Sequence, residues 1–289
     1  MSTDYSIWTL GFTHSSMPHD FFGGTVMNSD KGPAQVPMML SALLGGEAGE
    51  APKPVVIDTG MKGHWSPSGN TYENCEAPET LLAKVGLDPE DVETVILTHL
   101  HFDHIGNLDA FPKARFYVQR CEYDGWMRIL QWPDEDLGVN QRSWPLSSIY
   151  PPDFEVLDEL IGAGRVSLID GDTEVAPGIH CHLARDSHTF GSQWVELRCQ
   201  SGPHVIAGDC VYWYENLENM WPPAYVQGNC WNLLAAYREI NQLLGGDTQR
   251  LVPGHDPLVF ERHPSWVAGL NPLAEINLAE GTASKNPGL

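Results

Sequence analysis

One short run of metal-binding residue types limits most strongly what this chain can fold into. His99, His101, Asp103 and His104 follow the apolar segment 95–97 after a single threonine. Side chains two residues apart leave an extended strand on the same side, so the rings of His99 and His101 are aimed at one point. Imidazole with carboxylate is the ligand set of Zn, and of Mn, Fe or Co in a similar geometry. The run therefore predicts a metal centre at the end of a strand.

Residues that could complete such a centre stand in similar places elsewhere in the chain. Asp209 and His255 each follow an apolar run that ends in glycine, and His188 lies just before another strand-like run. Asp58 also follows an apolar run, and a carboxylate there can orient a ligating histidine from behind. His182 competes with His188 as the third histidine ligand, and the Gly-Ser pair that begins three residues after His188 favours His188.

Short runs rich in β-branched and aromatic residues alternate with helix-like stretches along most of the chain. Strands are predicted at residues 5–10, 36–40, 54–57, 94–98, 115–119, 166–169, 194–199, 204–207 and 250–252. Helices are predicted at residues 77–85, 121–131 and 230–244. The alternation predicts an α/β fold in the form of a layered sandwich.

No internal repeat or linker-like tract divides the sequence, so we expect one domain over residues 1–289. The segments 13–33 and 131–152 fit neither the helical nor the strand period and are rich in proline, glycine, serine and aromatic residues. They are expected to form long functional loops. Whether the loop 131–152 acts as a lid is left open. The tail at residues 273–289 is expected to be loosely held.

An excess of acidic residues excludes several classes of partner. The chain has 38 Asp and Glu against 16 Lys and Arg, a formal net charge of -22. Such a surface repels nucleic-acid phosphates and anionic membranes. The sequence shows no secretory signal and no window near the roughly 18 apolar residues of a membrane span, and its six cysteines are scattered. We expect a cytoplasmic protein with reduced thiols that binds neither nucleic acid nor membranes.

Five ordered motifs resemble those of the metallo-β-lactamase fold superfamily. They are V-I-D-T-G at 56–60, H-x-H-x-D-H at 99–104, H-T-x-G-S at 188–192, G-D at 208–209 and G-H-D at 254–256. Within the superfamily the chain looks most similar to the N-acyl homoserine lactonase branch, because Tyr212 stands three residues after Asp209 and residues 215–217 read E-N-L. The resemblance covers residues 36–257 and implies a four-layer αβ/βα sandwich, with two mixed β-sheets flanked by helices.

The resemblance also implies which residues hold metal. Seven residues are implied as ligands of two divalent ions: His99, His101 and His188 at the first ion, Asp103, His104 and His255 at the second, and Asp209 between both. Zn is the expected metal, with Mn, Fe and Co as alternatives. The chain departs from the family at Asp186 and Ser187, where the family has Pro-Gly, and at Phe190, where it has proline. These changes reshape the loop beside the metals.

Such a centre implies a hydrolase. A metal-bridging hydroxide would open a lactone, either an N-acyl homoserine lactone or a related cyclic ester. Asp103 would transfer the proton of the attacking water, and Tyr212 would donate to the carbonyl oxygen as negative charge develops. Phe22 and Trp213 are candidates for the wall of the substrate pocket because they lie close to the motifs. Cyclic amide or imide, aryl ester, phosphotriester and thioester hydrolysis use the same activated water and are alternatives.

The expected partner is a small, neutral, hydrophobic substrate, since the acidic surface disfavours a highly anionic one. Many aromatic residues lie in the irregular segments. They either pack these loops onto the sandwich, line the cleft, or form the surface of a homodimer. The sequence leaves these alternatives open.

Overall fold

A long antiparallel pairing near the N-terminus lies within the larger of two sheets. Strand β1 (Thr3–Pro18) pairs along its length with strand β2 (Pro33–Glu47). The computed structural model describes residues 3–24, 31–62, 69–133, 135–137 and 144–288. Within those ranges the strands form one sheet of eight and one of five.

Both sheets mix parallel and antiparallel neighbours. The other strands are β3 (Lys53–Ile57), β4 (Thr94–Ile96), β5 (Arg115–Gln119), β6 (Val166–Ile169), β7 (Thr173–Ala176), β8 (Ile179–Arg185), β9 (Gly191–Cys199), β10 (Gly202–Gly208), β11 (Leu251–Pro253), β12 (Ser265–Ala268) and β13 (Asn271–Asn277). The larger sheet has the order β12-β13-β1-β2-β3-β4-β5-β6, and the smaller β11-β10-β9-β8-β7. Strands β3 to β6 are parallel, as are β10 and β11.

Helices connect these strands. They are α1 (His19–Phe22), α2 (Pro78–Ala83), α3 (Phe102–Ile105), α4 (Arg120–Leu130), α5 (Pro151–Gly162), α6 (Tyr214–Asn219), α7 (Cys230–Leu244) and α8 (Val259–Arg262). In the part of the chain that the structure describes, every helix is too short or too polar to cross a membrane.

Alternate residues of the central strands face two different apolar clusters. Trp8 of β1 and Val56 of β3 pack in one cluster with residues of α2, α4 and α5. Their neighbours Ile7 and Val55 pack in the other cluster with residues of β9, β10 and α7. Because strand side chains alternate, helices cover one face of the larger sheet and the smaller sheet covers the other. Since α7 packs on β8 and β10, the predicted four-layer αβ/βα sandwich is confirmed.

Most predicted elements lie within observed ones. The predicted helix 230–244 coincides with α7, and the predicted strand 115–119 coincides with β5. Helix α5 was not predicted, although its two N-terminal prolines and the spacing of Phe154 and Leu157 are a helix signal. The two prolines lie at the end of the predicted loop 131–152, and proline is also typical of loops, so they did not predict the start of a helix.

The expectation of a long loop at residues 13–33 is wrong for its first part. Residues 13–18 continue β1 and pair with β2, and α1 follows. Thr13 and Ser15 are buried there, and their hydroxyls donate to the carbonyl oxygens of Glu73 and Thr71. Because a distant segment satisfies these hydroxyl groups, polar residues can be buried in this part of β1. The sequence therefore lacks the alternation of apolar and polar residues that would have predicted a strand. Residues 25–30 lie outside the described residues.

The described residues of the segment 131–150 are irregular apart from one turn of 3₁₀ helix at Trp144–Leu146, and α5 begins at Pro151. Residues 134 and 138–143 of this loop lie outside the described residues. A lid function for the loop and a single domain over residues 1–289 both stay predictions.

The expectation of a loosely held tail is wrong for residues 273–277. These residues belong to β13, which lies between β1 and β12 in the larger sheet. Leu273 is fully buried, and farther along the backbone N–H of Glu280 donates to Asp4 at 2.9 Å. The prediction failed because the partner strand β1 lies at the opposite end of the chain, beyond the reach of local patterns.

Leu273→Ala should lower the free energy of unfolding by about 2–5 kcal/mol, because removing a buried leucine side chain leaves a cavity. The matched change Leu270→Ala affects a side chain that is 57% exposed and should cost less than about 0.5 kcal/mol. Urea unfolding of both variants measures the difference. Equal losses would contradict the placement of β13 in the core.

Candidate metal centre

Seven histidine and aspartate side chains meet where several strands end. They are His99 and His101 after β4, Asp103 and His104 in α3, His188 between β8 and β9, Asp209 after β10, and His255 after β11. All seven are buried, with no more than 7% of any residue exposed. The structure therefore brings together every residue of the implied ligand set.

The first group of these side chains lies on one side of Asp209. Oδ2 of Asp209 is 3.6 Å from Nε2 of His99 and 3.4 Å from Nε2 of His188. Nε2 of His188 is in turn 3.2 Å from Nδ1 of His101. Three imidazole nitrogens and one carboxylate oxygen thus face a common point.

The second group faces the other oxygen of the same carboxylate. Oδ1 of Asp209 is 3.0 Å from Nε2 of His255 and 3.4 Å from Nε2 of His104. Oδ2 of Asp103 lies 3.6 Å from Nε2 of His104 and 3.7 Å from Nε2 of His255. Asp209 consequently stands between two sets of potential ligands.

The donor atoms of both groups fit bound cations. Nε2 of His99, Nε2 of His104 and Oδ1 of Asp209 are buried without a hydrogen-bond partner among the residues that the structure describes. Leaving a buried polar atom unsatisfied costs about 1–3 kcal/mol. The ligand atoms of His99, His101, His188 and Asp209 lie within 4.8 Å of one another, as do those of Asp103, His104 and His255. Two divalent cations with nitrogen and oxygen ligands would satisfy these atoms.

Burial and mutual contacts set the protonation of the centre. Burial lowers the pKa of His99 and His101 well below the usual value, and that of His188 to about 4. For Asp209, burial acts to raise the pKa, but the surrounding histidines lower it well below its usual value. For His104, burial acts to lower the pKa, but Asp209 and two other carboxylates raise it well above its usual value. The first group is therefore neutral beside an anionic Asp209, which are the states that bind a cation.

Hydrogen bonds behind the centre point the Nε2 atoms inward. Nδ1 of His104 donates to Asp58 at 2.7 Å, and Asp58 also accepts from the hydroxyl of Thr98 at 2.8 Å. Because the hydroxyl of Thr98 uses its proton in the bond to Asp58, its oxygen accepts a hydrogen bond from Nδ1 of His99 at 3.1 Å. Nδ1 of His255 likewise donates to a backbone carbonyl at 3.1 Å. Asp58 thus lies where the sequence interpretation placed an orienting carboxylate.

Two glycines permit the close approach of the ligand-bearing turns. A β-carbon on Gly254 would lie 2.6 Å from Oδ1 of Asp209. One on Gly208, which has a φ of +50°, would lie 2.8 Å from side-chain atoms of Thr98. This crowding is the physical reason for the small residue before Asp209 and before His255.

A buried carboxylate outside the two groups, Glu122, was not predicted from the sequence. Its Oε1 accepts from the backbone N–H of Leu100 at 3.0 Å and from the indole of Trp126 at 2.8 Å. Its Oε2 accepts from the hydroxyl of Thr189 at 2.7 Å and from the backbone N–H of Gly191 at 2.6 Å. Leu100 and Thr189 each adjoin ligand-type histidines, so Glu122 links two ligand-bearing segments. No local sequence pattern marks it, because its donors come from separate segments.

A cavity of about 320 Å³ adjoins the two groups. His101, Asp103, Asp209 and His255 contribute to its lining, and so does Tyr212. The hydroxyl of Tyr212 lies 3.4 Å from Nδ1 of His188. The structure therefore places both predicted catalytic side chains beside the same cavity.

Of the two predicted pocket residues, Phe22 lines this cavity and Trp213 does not. Trp213 stacks behind Phe22, with ring centroids 6.0 Å apart, and its indole N–H donates to the carbonyl oxygen of His255 at 3.0 Å. The expectation for Trp213 is wrong because its backbone is extended, with φ -129° and ψ 153°. Consecutive side chains then diverge, and Tyr212 takes the cavity side.

His182, the alternative third histidine, lies away from the centre. Its ring nitrogens are 3.2 Å from Asp172 and 3.0 Å from Glu196, and the ring stacks on Trp194. Of the two histidines, His188 and not His182 lies in the first group.

The fold and the two groups define a class of metallohydrolase, and comparison with known families agrees. The model of the Metallo-beta-lactamase superfamily matches residues 53–255, and the chain belongs to this superfamily. Among curated relatives, an N-acyl homoserine lactonase of Bacillus sp. is 27% identical over 217 residues, 70% of this chain and 76% of the relative. N-acyl homoserine lactonase AttM of Azorhizobium caulinodans is 26% identical over 216 residues, 70% and 74% of the two chains.

Solved structures show the same fold. AidC, described as a dizinc quorum-quenching lactonase, has a TM-score of 0.65 and 15% identity, with 98% of this chain and 97% of AidC covered. A quorum-quenching N-acyl homoserine lactone hydrolase has a TM-score of 0.62 and 21% identity, with 89% and 94% covered. These structures show the shared fold. The family model and the curated relatives confirm the resemblance to the superfamily and the similarity to its lactonases.

Glu122→Gln should lower the free energy of unfolding by about 1–3 kcal/mol, because the new amide group would face hydrogen-bond donors that the carboxylate oxygen accepts. The control Glu159→Gln lies on the exposed side of α5 and should change stability by less than about 0.5 kcal/mol. Urea unfolding measures both. A Glu122→Gln variant as stable as the wild type would show that the four bonds do not hold the two segments.

Proposed function

We propose that the chain is a metal-dependent hydrolase that opens a lactone, an N-acyl homoserine lactone or a related cyclic ester, at a centre of two divalent ions. The observation that carries this proposal is Asp209, whose two oxygens face two separate histidine groups beside a largely apolar cavity. Membership of the superfamily and the lactonases among the curated relatives support the same reaction.

The cavity favours a small, neutral, hydrophobic substrate. Its apolar and aromatic wall includes Met17, Pro18, Phe21, Phe22, Met38, Tyr72 and Phe102. Among the residues that the structure describes, no lysine or arginine lines it, so no basic side chain there would pair with a phosphate or carboxylate on the part of a substrate that lies away from the metal centre. An acyl chain or a ring would bury apolar surface there.

The proposed ligands are those that the geometry groups together: His99, His101, His188 and Asp209 for one ion, and Asp103, His104, His255 and Asp209 for the other. We propose Zn for both ions, with Mn, Fe and Co as alternatives. When bound, two such ions supply an activated water as nucleophile and polarise the ester carbonyl.

Two side chains would manage proton and charge during ring opening. Asp103 would take a proton from the attacking water and return it to the ring oxygen as the C–O bond breaks. Burial, reinforced by Asp209, raises the pKa of Tyr212 well above its usual value. Its hydroxyl therefore stays protonated at neutral pH and would donate to the carbonyl oxygen as negative charge develops.

The first test combines metal analysis with a substrate panel. Elemental analysis of the purified chain should find about two metal ions per chain, and chelation should abolish lactone opening until Zn is restored. Among lactones, cyclic imides, aryl esters, phosphotriesters and thioesters, kcat/KM should be highest for an N-acyl lactone, by about a hundredfold or more. Asp209→Ala should remove metal and activity, whereas the exposed Asp170→Ala should retain both.

A chain that binds fewer than one metal ion, or an Asp209→Ala variant that still opens lactones at the wild-type rate, would refute the proposed centre. A hundredfold preference for another substrate class would leave the proposal of a metal-dependent hydrolase intact but would refute a lactone as its substrate.

Tyr212→Phe should lower kcat for lactone opening about a hundredfold, the effect of losing one donor to a developing oxyanion. Its metal content should stay at the wild-type level, because the hydroxyl is not a proposed ligand. The control is Tyr214→Phe, whose buried hydroxyl donates to the carbonyl oxygen of Leu251 at 3.0 Å, outside the cavity lining. It should keep kcat within about twofold. Steady-state kinetics of both variants decide whether Tyr212 has this role.

A further inference from the structure

Gln227 contacts both ligand-bearing segments of the first group and the rim of the cavity. Its Oε1 lies 2.9 Å from Nε2 of His101, and its backbone N–H donates to the carbonyl oxygen of His188 at 2.9 Å. Its Nε2 donates to the carbonyl oxygen of Trp144 at 2.9 Å, and the hydroxyl of Ser148 donates to its Oε1. One side chain therefore joins the centre to the 144–148 segment.

The contact with Trp144 determines which way the amide of Gln227 faces. A backbone carbonyl oxygen only accepts hydrogen bonds, so it requires the NH₂ group of the amide. Oε1 must then accept a hydrogen bond from the N–H at Nε2 of His101. A neutral imidazole carries a proton on one nitrogen only, so Nδ1 of His101 presents a lone pair to the first group.

His101 is oriented the opposite way from its neighbours. His99 and His104 turn Nε2 toward the centre and are held at Nδ1 by Thr98 and Asp58. His101 turns Nδ1 toward the centre and is held at Nε2 by a residue 126 positions away in the sequence. The group that orients His101 through its outer nitrogen is therefore a neutral amide from a separate loop.

We propose that Gln227 is a positioning residue that holds Nδ1 of His101 toward the first metal position and ties this histidine to Ser148 at the cavity rim. The inference rests on the proposed two-metal centre. Ser148 lines the cavity, and its carbonyl oxygen accepts from the backbone N–H of Phe102 at 2.9 Å. Ser148 is thus linked to the segment of His101 in two ways, through its hydroxyl by way of Gln227 and through its own carbonyl oxygen.

Gln227→Leu removes the acceptor and should weaken binding of one of the two metal ions about 10–100-fold, the usual effect of losing a group that orients a ligating histidine. Competition with a chromophoric chelator measures the two affinities in the full-length chain. The visible spectrum of the Co-substituted chain should also change, because the geometry at one ion changes. Gln227→Glu keeps an oxygen toward Nε2 of His101 and should restore both the affinity and the spectrum.

Ser148→Ala is the matched control, because it removes the other donor to the same Oε1 and leaves the bond from His101. It should keep the metal affinity within about threefold of the wild type. Weakening as large as that of Gln227→Leu would overturn the inference, since the loop rather than the amide oxygen would then position His101. Circular dichroism establishes that each variant is folded.

The two proposals fail differently. If the wild type binds no metal, the centre and the role of Gln227 both fall. If the wild type binds two ions and opens lactones, but Gln227→Leu matches its affinities and Co spectrum, only the role of Gln227 is overturned.

Discussion

The rest of the site depends on the contact of one buried carboxylate, Asp209, with histidines on both of its sides. Burying a carboxylate is costly unless opposite charge compensates it, and Asp209 is only 4% exposed. Burial acts to lower the pKa of His104 and His255, but the neighbouring carboxylates raise it, so these two rings, 3.4 and 3.0 Å from Asp209, can provide part of that compensation. Two divalent ions would provide it when bound in the proposed centre. This balance explains how a chain with a net charge of -22 can bury Asp58, Asp103 and Asp209 in one region.

The fold brings these groups together because several strands end at the same place and hydrogen bonds join the turns that follow them. Glycines before Asp209 and His255 let two turns approach until a β-carbon would collide. Glu122 and Gln227 then hold the segments of different histidines at fixed separations through hydrogen bonds that span the fold. Neither residue is a proposed ligand, yet both determine where proposed ligands lie.

Prediction from the sequence succeeded where the signal is local. The H-x-H-x-D-H run and the strand before it are contiguous, so the joint presence of His99 and His101 at a strand end could be derived directly. Prediction failed where burial depends on a distant partner. Thr13 and Ser15 look like loop residues because segment 71–73 satisfies them, and Leu273 looks like tail because its strand pairs with β1. The prediction for Trp213 failed because its extended backbone turns its side chain away from the cavity that Tyr212 lines.

The sequence by itself determined the ligand residue types, their positions relative to strands, the alternation of strands and helices, and the acidic character of the surface. These properties follow from covalent spacing and composition. Only the tertiary structure decided that Asp209 faces both groups, that His188 rather than His182 joins the first, and that Glu122 and Gln227 hold them. The reason is physical: these contacts join residues far apart in the chain, and packing of the two sheets, not local periodicity, selects which of them meet.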